Sequence, residues 1–232
     1  MATGEELVAA IKAGDAERVS AIVSGEPALA STRDEDGVSA LMLSRYRSNR
    51  AVTEALLAAD PDLDVHEAAA LGYLDRLRER LDEDPARVAA FSADGFTALH
   101  FAAFFAKLEA ARTLLDAGAP VDVSARNATR VQPLHSAAAG RQTEICRLLL
   151  AAGADVSARH AGGFTALHAA AHNGDPEMVE LFLSAGADPA TTTDDGRSAA
   201  DLATAADHPD VARRLRELDG TLAPTSEPGS EA

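Results

Sequence analysis

The chain has 232 residues, 47% hydrophobic but only 4% aromatic, and a formal charge of -16. That summed field repels phosphate backbones and anionic lipid, so neither nucleic acid nor membrane is an expected partner. The single cysteine, Cys146, excludes an internal disulfide or a CxxC site, and the acidic start "MATGEELVAAIKAGDAERV" is unlike a secretory leader, so a reducing cytoplasm is the expected location.

Abundant alanine and the absence of Trp favour closely packed helices over sheets. No window reaches the ~18 apolar residues of a membrane span. Lys12 and Lys107 are the only lysines, and the arginine bias with high Ala and Gly suits GC-rich coding of a bacterial kind.

From the N-terminus, residues 7–57 align without gaps with residues 65–115, at an offset of 58. Gly14 then matches Gly72, Pro27 matches Pro85, and Asp36-Gly37 matches Asp94-Gly95. Downstream, segments starting at Asp94, Val131, Gly162 and Asp195 superimpose, and "GFTALH" at Gly95 to His100 returns intact at Gly163 to His168. Seven units result, with equivalent positions at Val8, Met42, His66, His100, His135, His168 and Asp201. In each unit Ser39, Thr97 or Thr165 can cap a short helix paved with alanine. A second helix carries Leu114-Leu115 or Leu148 to Leu150, and Gly118, Gly153 and Gly186 follow it where a left-handed cap suits glycine. Turns such as Asp94-Gly95 and Asp195-Gly196 then reverse the chain. One such pair cannot bury its own apolar face, so neighbours must stack.

This pattern resembles the ankyrin repeat: "TALH" followed by alanines, a glycine some six residues after the His, and "LLLAAGAD" near the unit's end. The resemblance implies an all-α fold, an α-solenoid of about seven ankyrin repeats over residues 1–220. Its units would be helix-turn-helix pairs with short β-hairpin fingers projecting from one edge. Two departures carry information. From Met42 to His66 the spacing is only 24, which predicts a missing finger near 60–64, a notched wall and a possible break in cooperativity. The stretch "ARNATRVQPLH" predicts a longer, irregular finger, where Gln132 is a weak cap and Pro133 offsets some of the loss. Residues 221–232, "TLAPTSEPGSEA", are expected to be disordered.

Chemical readings fail on detail. His100, His135 and His168 lie on helices stacked ~8–10 Å apart, whereas zinc holds each imidazole nitrogen at ~2.0–2.1 Å. "HEAAA" at His66 lacks a second His, and the calcium-like start at Asp60 meets Val65 and Leu71 where Gly and Glu are needed. Cys146 reads as a small hydrophobe on a packing helix. No catalytic cluster, metal site or cofactor motif is found. By the resemblance, the repeated His hydrogen-bonds finger backbone and ties units together. Thr97, His100, Gly118, His135, Gly153, Thr165, His168 and Gly186 are accordingly structural.

Function is then expected on the surface. In ankyrin arrays the partner usually lies on the concave face, made of finger tips and the first helix just after its alanines. Mapped here, the partner-binding residues are Tyr46, Arg47, Phe96, Phe104, Phe105, Val131, Phe164, His172, Asn173 and Arg197. Five of the nine Phe and Tyr residues fall in this set, the expected anchors of a hot spot. Phe104 and Phe105 are open between interface and core. The expected function is a monomeric, non-catalytic interaction scaffold or adaptor in the cytoplasm, its acidity favouring a basic surface on the partner. Two alternatives stand beside it. One is a stoichiometric inhibitor of a partner enzyme acting through Phe96, Val131, Phe164 and Arg197. The other is a metal- or small-ligand-binding protein using His160, His168 and His172.

Overall fold

A computed structural model of the chain describes residues 2–220, so the expectation for 221–232 lies outside the described residues. Among the described residues fourteen α-helices form seven consecutive pairs. The pairs are α1 (Gly4–Ala13) with α2 (Ala16–Gly25), α3 (Ala40–Tyr46) with α4 (Arg50–Leu57), and α5 (Val65–Leu71) with α6 (Leu74–Glu83). They continue with α7 (Ala98–Phe104) and α8 (Leu108–Asp116), α9 (Pro133–Ala139) and α10 (Thr143–Ala151), α11 (Ala166–Asn173) and α12 (Pro176–Ser184), then α13 (Ala199–Ala205) and α14 (Pro209–Asp219). Helices of this length are marginal alone, so packing must hold them. Alanine makes that possible. Ala68, Ala98, Ala102, Ala137, Ala138, Ala170 and Ala203 are all fully buried, letting first helices of successive pairs lie close.

One backbone demand repeats in every pair. The residue six positions after each equivalent site takes a left-handed conformation: Gly14, Ser48, Gly72, Ala106, Arg141, Gly174 and Asp207. It reverses the chain between first and second helix, and four of the seven pairs accept the strain of a side chain there.

The fingers are tighter than hairpins with formed strands. Among the described residues they close through single bridges, Arg33 with Ser39, Phe91 with Thr97 and Thr192 with Ser198. Inside each bridge one further backbone hydrogen bond closes the turn: Asp34 to Val38 at 2.9 Å, Ser92 to Phe96 at 2.8 Å and Thr193 to Arg197 at 2.9 Å. The finger before α9 is longer and irregular, closed by the Ala125 N–H on the Val131 carbonyl at 2.7 Å. Neighbouring fingers are joined by backbone hydrogen bonds: Arg126 to Gly95 at 2.8 Å, Ala161 to Thr129 at 3.0 Å and Asp194 to Gly162 at 2.9 Å.

No finger forms between α4 and α5, where the chain runs directly through residues 60–64. The packing changes there. First helices pack closely onto their successors throughout, except α3 onto α5. The buried core splits accordingly. One cluster, including Leu7, Ile11, Val19, Leu41, Leu56 and Leu63, belongs to α1–α4 and the junction. Another, including Leu77, Leu99, Leu114, Leu134, Leu149, Leu167 and Phe182, runs through α5–α14. The wall is nevertheless not left open. The flanking fingers meet across the gap, so that a Cβ added at Gly37 would sit 3.0 Å from the Ala93 Cβ. Arg33 pairs with Asp64 at 2.9 Å, and Arg80 donates to the Leu63 carbonyl at 2.9 Å and pairs with Asp62.

Candidate functional site

The repeated histidines occupy the joints between units. Thr97 and His100 form a reciprocal cap of α7, in which the Thr97 N–H donates to His100 Nδ1 at 3.2 Å. Because Nδ1 accepts, the ring proton lies on Nε2, which donates to the Val131 carbonyl at 3.0 Å. His135 repeats the arrangement with the Gln132 N–H at 3.1 Å and the Ala158 carbonyl at 3.0 Å, while His66 reaches the Ala90 carbonyl at 3.0 Å. His168 keeps the Thr165 contact, and its Nε2 faces the Thr191 and Arg197 carbonyls without a close partner. Burial holds His100 and His135 neutral, pushing each pKa down to about 4. Gly118, Gly153 and Gly186 follow α8, α10 and α12 in the left-handed region.

A second set of residues makes a groove. Phe96, Thr129 and Val131 from two fingers face Phe101, Phe104, Phe105, Ser136 and Ala139 from α7, its end and α9, with Tyr46 reaching in from α3. The space is about 260 Å³ and its walls are nearly free of exposed polar atoms. Depressions elsewhere are charged, such as that around Glu180, Asp210 and Arg214 or that around Lys12, Arg33 and Asp34.

The groove lies beside the unit that lacks a finger. Beside Ala70 of α5, rings from α3 and from α7 and its end come together: Tyr46 lies 6.4 Å from Phe101 and 6.5 Å from Phe105 between centroids. Phe104 sets its edge against Phe105 at 5.1 Å, and Phe96 meets Phe101 at 5.6 Å. The Tyr46 hydroxyl donates to the Asp94 carboxylate, fixing the ring across the gap; burial first, and then that carboxylate, raise its pKa. The Arg45 guanidinium stacks 4.4 Å from the Phe105 centroid. Tyr46 and Phe104 each remain 44% exposed, whereas Phe101 is 3% exposed.

Five residues expected at the partner surface therefore line one groove: Tyr46, Phe96, Phe104, Phe105 and Val131. The other five lie outside it. Phe164 stacks on His160 at 5.5 Å, and Arg197 pairs with Asp195 at 2.8 Å and stands 5.9 Å from the Phe164 ring. Asn173 spends its amide on the Ala138 carbonyl at 3.0 Å, which ties α11 to α9. Arg47 and His172 are exposed. Phe164 also separates His160 from His168, its ring lying 5.9 Å from the latter, so the three imidazoles of the ligand-binding alternative do not converge. Among the described residues no group of three or more His, Cys, Asp or Glu could hold a metal ion. Phe101, Thr129 and Ser136 line the groove, and Arg45 stacks behind Phe105, without having been among the expected partner residues. The signal for Phe101 was its position after His100, where other units carry Ala, Ser, Glu or Leu.

No described helix is long and apolar enough to cross a membrane. A family model for ankyrin repeats, three copies, matches residues 65–160 and 134–222. No curated protein matches the chain. The match begins where α5 begins, just past the divided core, and leaves α1–α4 unmatched. With seven stacked helix pairs and imidazole links between them, that match shows that the chain belongs to the ankyrin-repeat family, whose repeats generally mediate protein–protein interaction.

Proposed function

We propose that this protein is a non-catalytic, monomeric scaffold or adaptor of the cytoplasm, and that it holds a partner protein in the groove between Tyr46 and Ala139. The observation that carries this reading is the exposure of Tyr46 and Phe104 beside an apolar groove in a chain with few aromatics. Covering the exposed part of one such ring contributes roughly 1–2 kcal/mol. Two or three anchors of that size are what a binding hot spot requires. The groove also joins two fingers to two first helices, so it presents a rigid, preformed shape that loses little entropy on binding.

A photo-crosslinking amino acid at position 104, introduced in cells, tests this reading. It should trap a discrete protein that the same residue at Arg112, on the exposed side of α8, does not trap. Trapping at Arg112 with nothing at position 104 would remove the groove from consideration.

A further inference from the structure

Charge around the groove runs against charge in the rest of the chain. Most arginines are held in ion pairs with neighbouring carboxylates, as at Arg50, Arg76, Arg80, Arg147 and Arg214. Among the described residues Arg45, Arg47, Lys107, Arg130 and Arg141 form no ion pair, and all five adjoin the groove by position. Arg45 and Arg47 flank Tyr46, Lys107 follows Phe105 by two, Arg130 lies between Thr129 and Val131, and Arg141 follows Ala139 by two. Lys12, Arg18 and Arg126 complete the basic side chains without an ion pair, and Arg126 stacks instead on Phe91.

The pairing of Arg45 with Lys107 is the most informative. Arg45 is half-buried with its Nε lacking any partner, and its guanidinium lies against Phe105. Burial lowers the Lys107 pKa, and the neighbouring Arg45 charge lowers it further. Two like charges held together and partly desolvated raise the free energy of the unbound protein. In a chain of charge -16 a carboxylate could have been supplied locally, yet neither side chain pairs with one, and Asp94 beside Tyr46 already accepts from the Tyr46 and Ser92 hydroxyls. An anion from outside would relieve the repulsion between the two cations.

We infer that the groove takes an acidic segment of a partner protein, with an aromatic or leucine-type side chain seated against Phe104 and Phe105 and flanking Asp or Glu residues on Arg45 and Lys107. This rests on the groove being the partner site. It also reverses the sign that whole-chain charge suggests, because short-range pairing at the site outweighs a distant field screened over ~8 Å at physiological salt.

Fluorescence anisotropy with the full chain tests it, using labelled peptides that share one aromatic anchor flanked by glutamates, by glutamines or by lysines. The glutamate peptide should bind at least ~10-fold tighter than the lysine peptide, with a preference that shrinks as salt rises. Lys107→Gln, on an accessible turn, should weaken the glutamate peptide several-fold and leave the glutamine peptide unchanged, and Arg45→Gln should do the same. Phe104→Ala should weaken all three. A preference for lysine or equal affinities, with Phe104 dependence retained, overturns the acidic assignment alone. So does equal competition by a single-stranded oligonucleotide. If no peptide shows Phe104-dependent binding, the groove reading falls with it.

Discussion

The Tyr46 hydroxyl donates to the Asp94 carboxylate, joining the end of α3 to a finger two units further along. The intervening unit has no finger, and its α5 packs Ala70 and the His66 ring against Phe101. The Tyr46 bond is one of several links across the divided core, beside the Arg33–Asp64 pair, Arg45 on Phe105 and the cluster of Met42, Ala70 and Phe101. Tyr46→Phe removes it without removing the ring. The expected cost is about 1 kcal/mol or less, given the ring's exposure, concentrated in α1–α4. Hydrogen exchange should therefore quicken in α1–α4 of Tyr46→Phe and stay unchanged in α9–α12. Equal acceleration throughout would show that the array unfolds as one unit despite its split core.

Phe101 and Phe104 lie three residues apart on α7 and should separate stability from binding. Phe101 is buried against Met42 and Ala70, so Phe101→Ala should cost about 3–5 kcal/mol in denaturant unfolding. Phe104 is half open to solvent, and Phe104→Glu should shift the unfolding midpoint little while abolishing partner binding. A large stability loss in Phe104→Glu would mean that its ring belongs to the core.

Ala106 and Arg141 adopt φ of 60° and 59° at the turn where three other units place glycine. A left-handed conformation costs a side-chain-bearing residue about 1–2 kcal/mol, and glycine's larger unfolded-state entropy offsets part of that gain. Ala106→Gly should stabilise by about 0.5–1 kcal/mol, raising Tm by a few degrees. Gly174→Ala should do the reverse, because its φ is 65° and a Cβ there would lie 2.3 Å from the His208 ring.

The joint histidines make stability depend on pH in a defined direction. His100 and His135 have folded pKa values of about 4, below the usual 6.5, so the unfolded chain binds more protons between those values. Their contribution is complete above pH 6.5 and is lost as pH falls towards 4, by up to roughly 3 kcal/mol for each ring. Glu67 acts oppositely, its carboxyl raised by burial and by Asp64, and partly offsets the loss. Denaturant unfolding across this window should show falling stability with falling pH. His100→Gln, less stable at neutral pH, should show a shallower slope.

The repeat was legible because its physics is local and recurs. Small residues pave the first helix, Gly118, Gly153 and Gly186 follow the second, and at His66, His100 and His135 an imidazole at a recurring spacing closes the joint onto a carbonyl. The missing finger was visible as a short spacing, but its consequence was not. A gap in the alignment suggests a notch, whereas in three dimensions the flanking fingers approach and Tyr46 bridges to Asp94. Phe101 escaped notice because it follows the His at a position that other units fill differently and that the mapped surface did not include. Arg45 escaped because net charge says nothing about which cations lack partners. Asn173 and Arg197 carry contacts the sequence does not spell out: the first bonds to the Ala138 carbonyl and the second pairs with Asp195.

The central claim is that the aromatic groove, and no other surface, receives the partner. Fluorine NMR of the chain carrying 4-fluorophenylalanine at its seven Phe positions reads this directly, titrated with the protein trapped at position 104. The Phe104 and Phe105 resonances should shift or broaden with saturation, while Phe182, fully buried between distant helices, stays in place. Saturable changes at Phe164 or Phe182 with Phe104 and Phe105 unmoved would contradict the account.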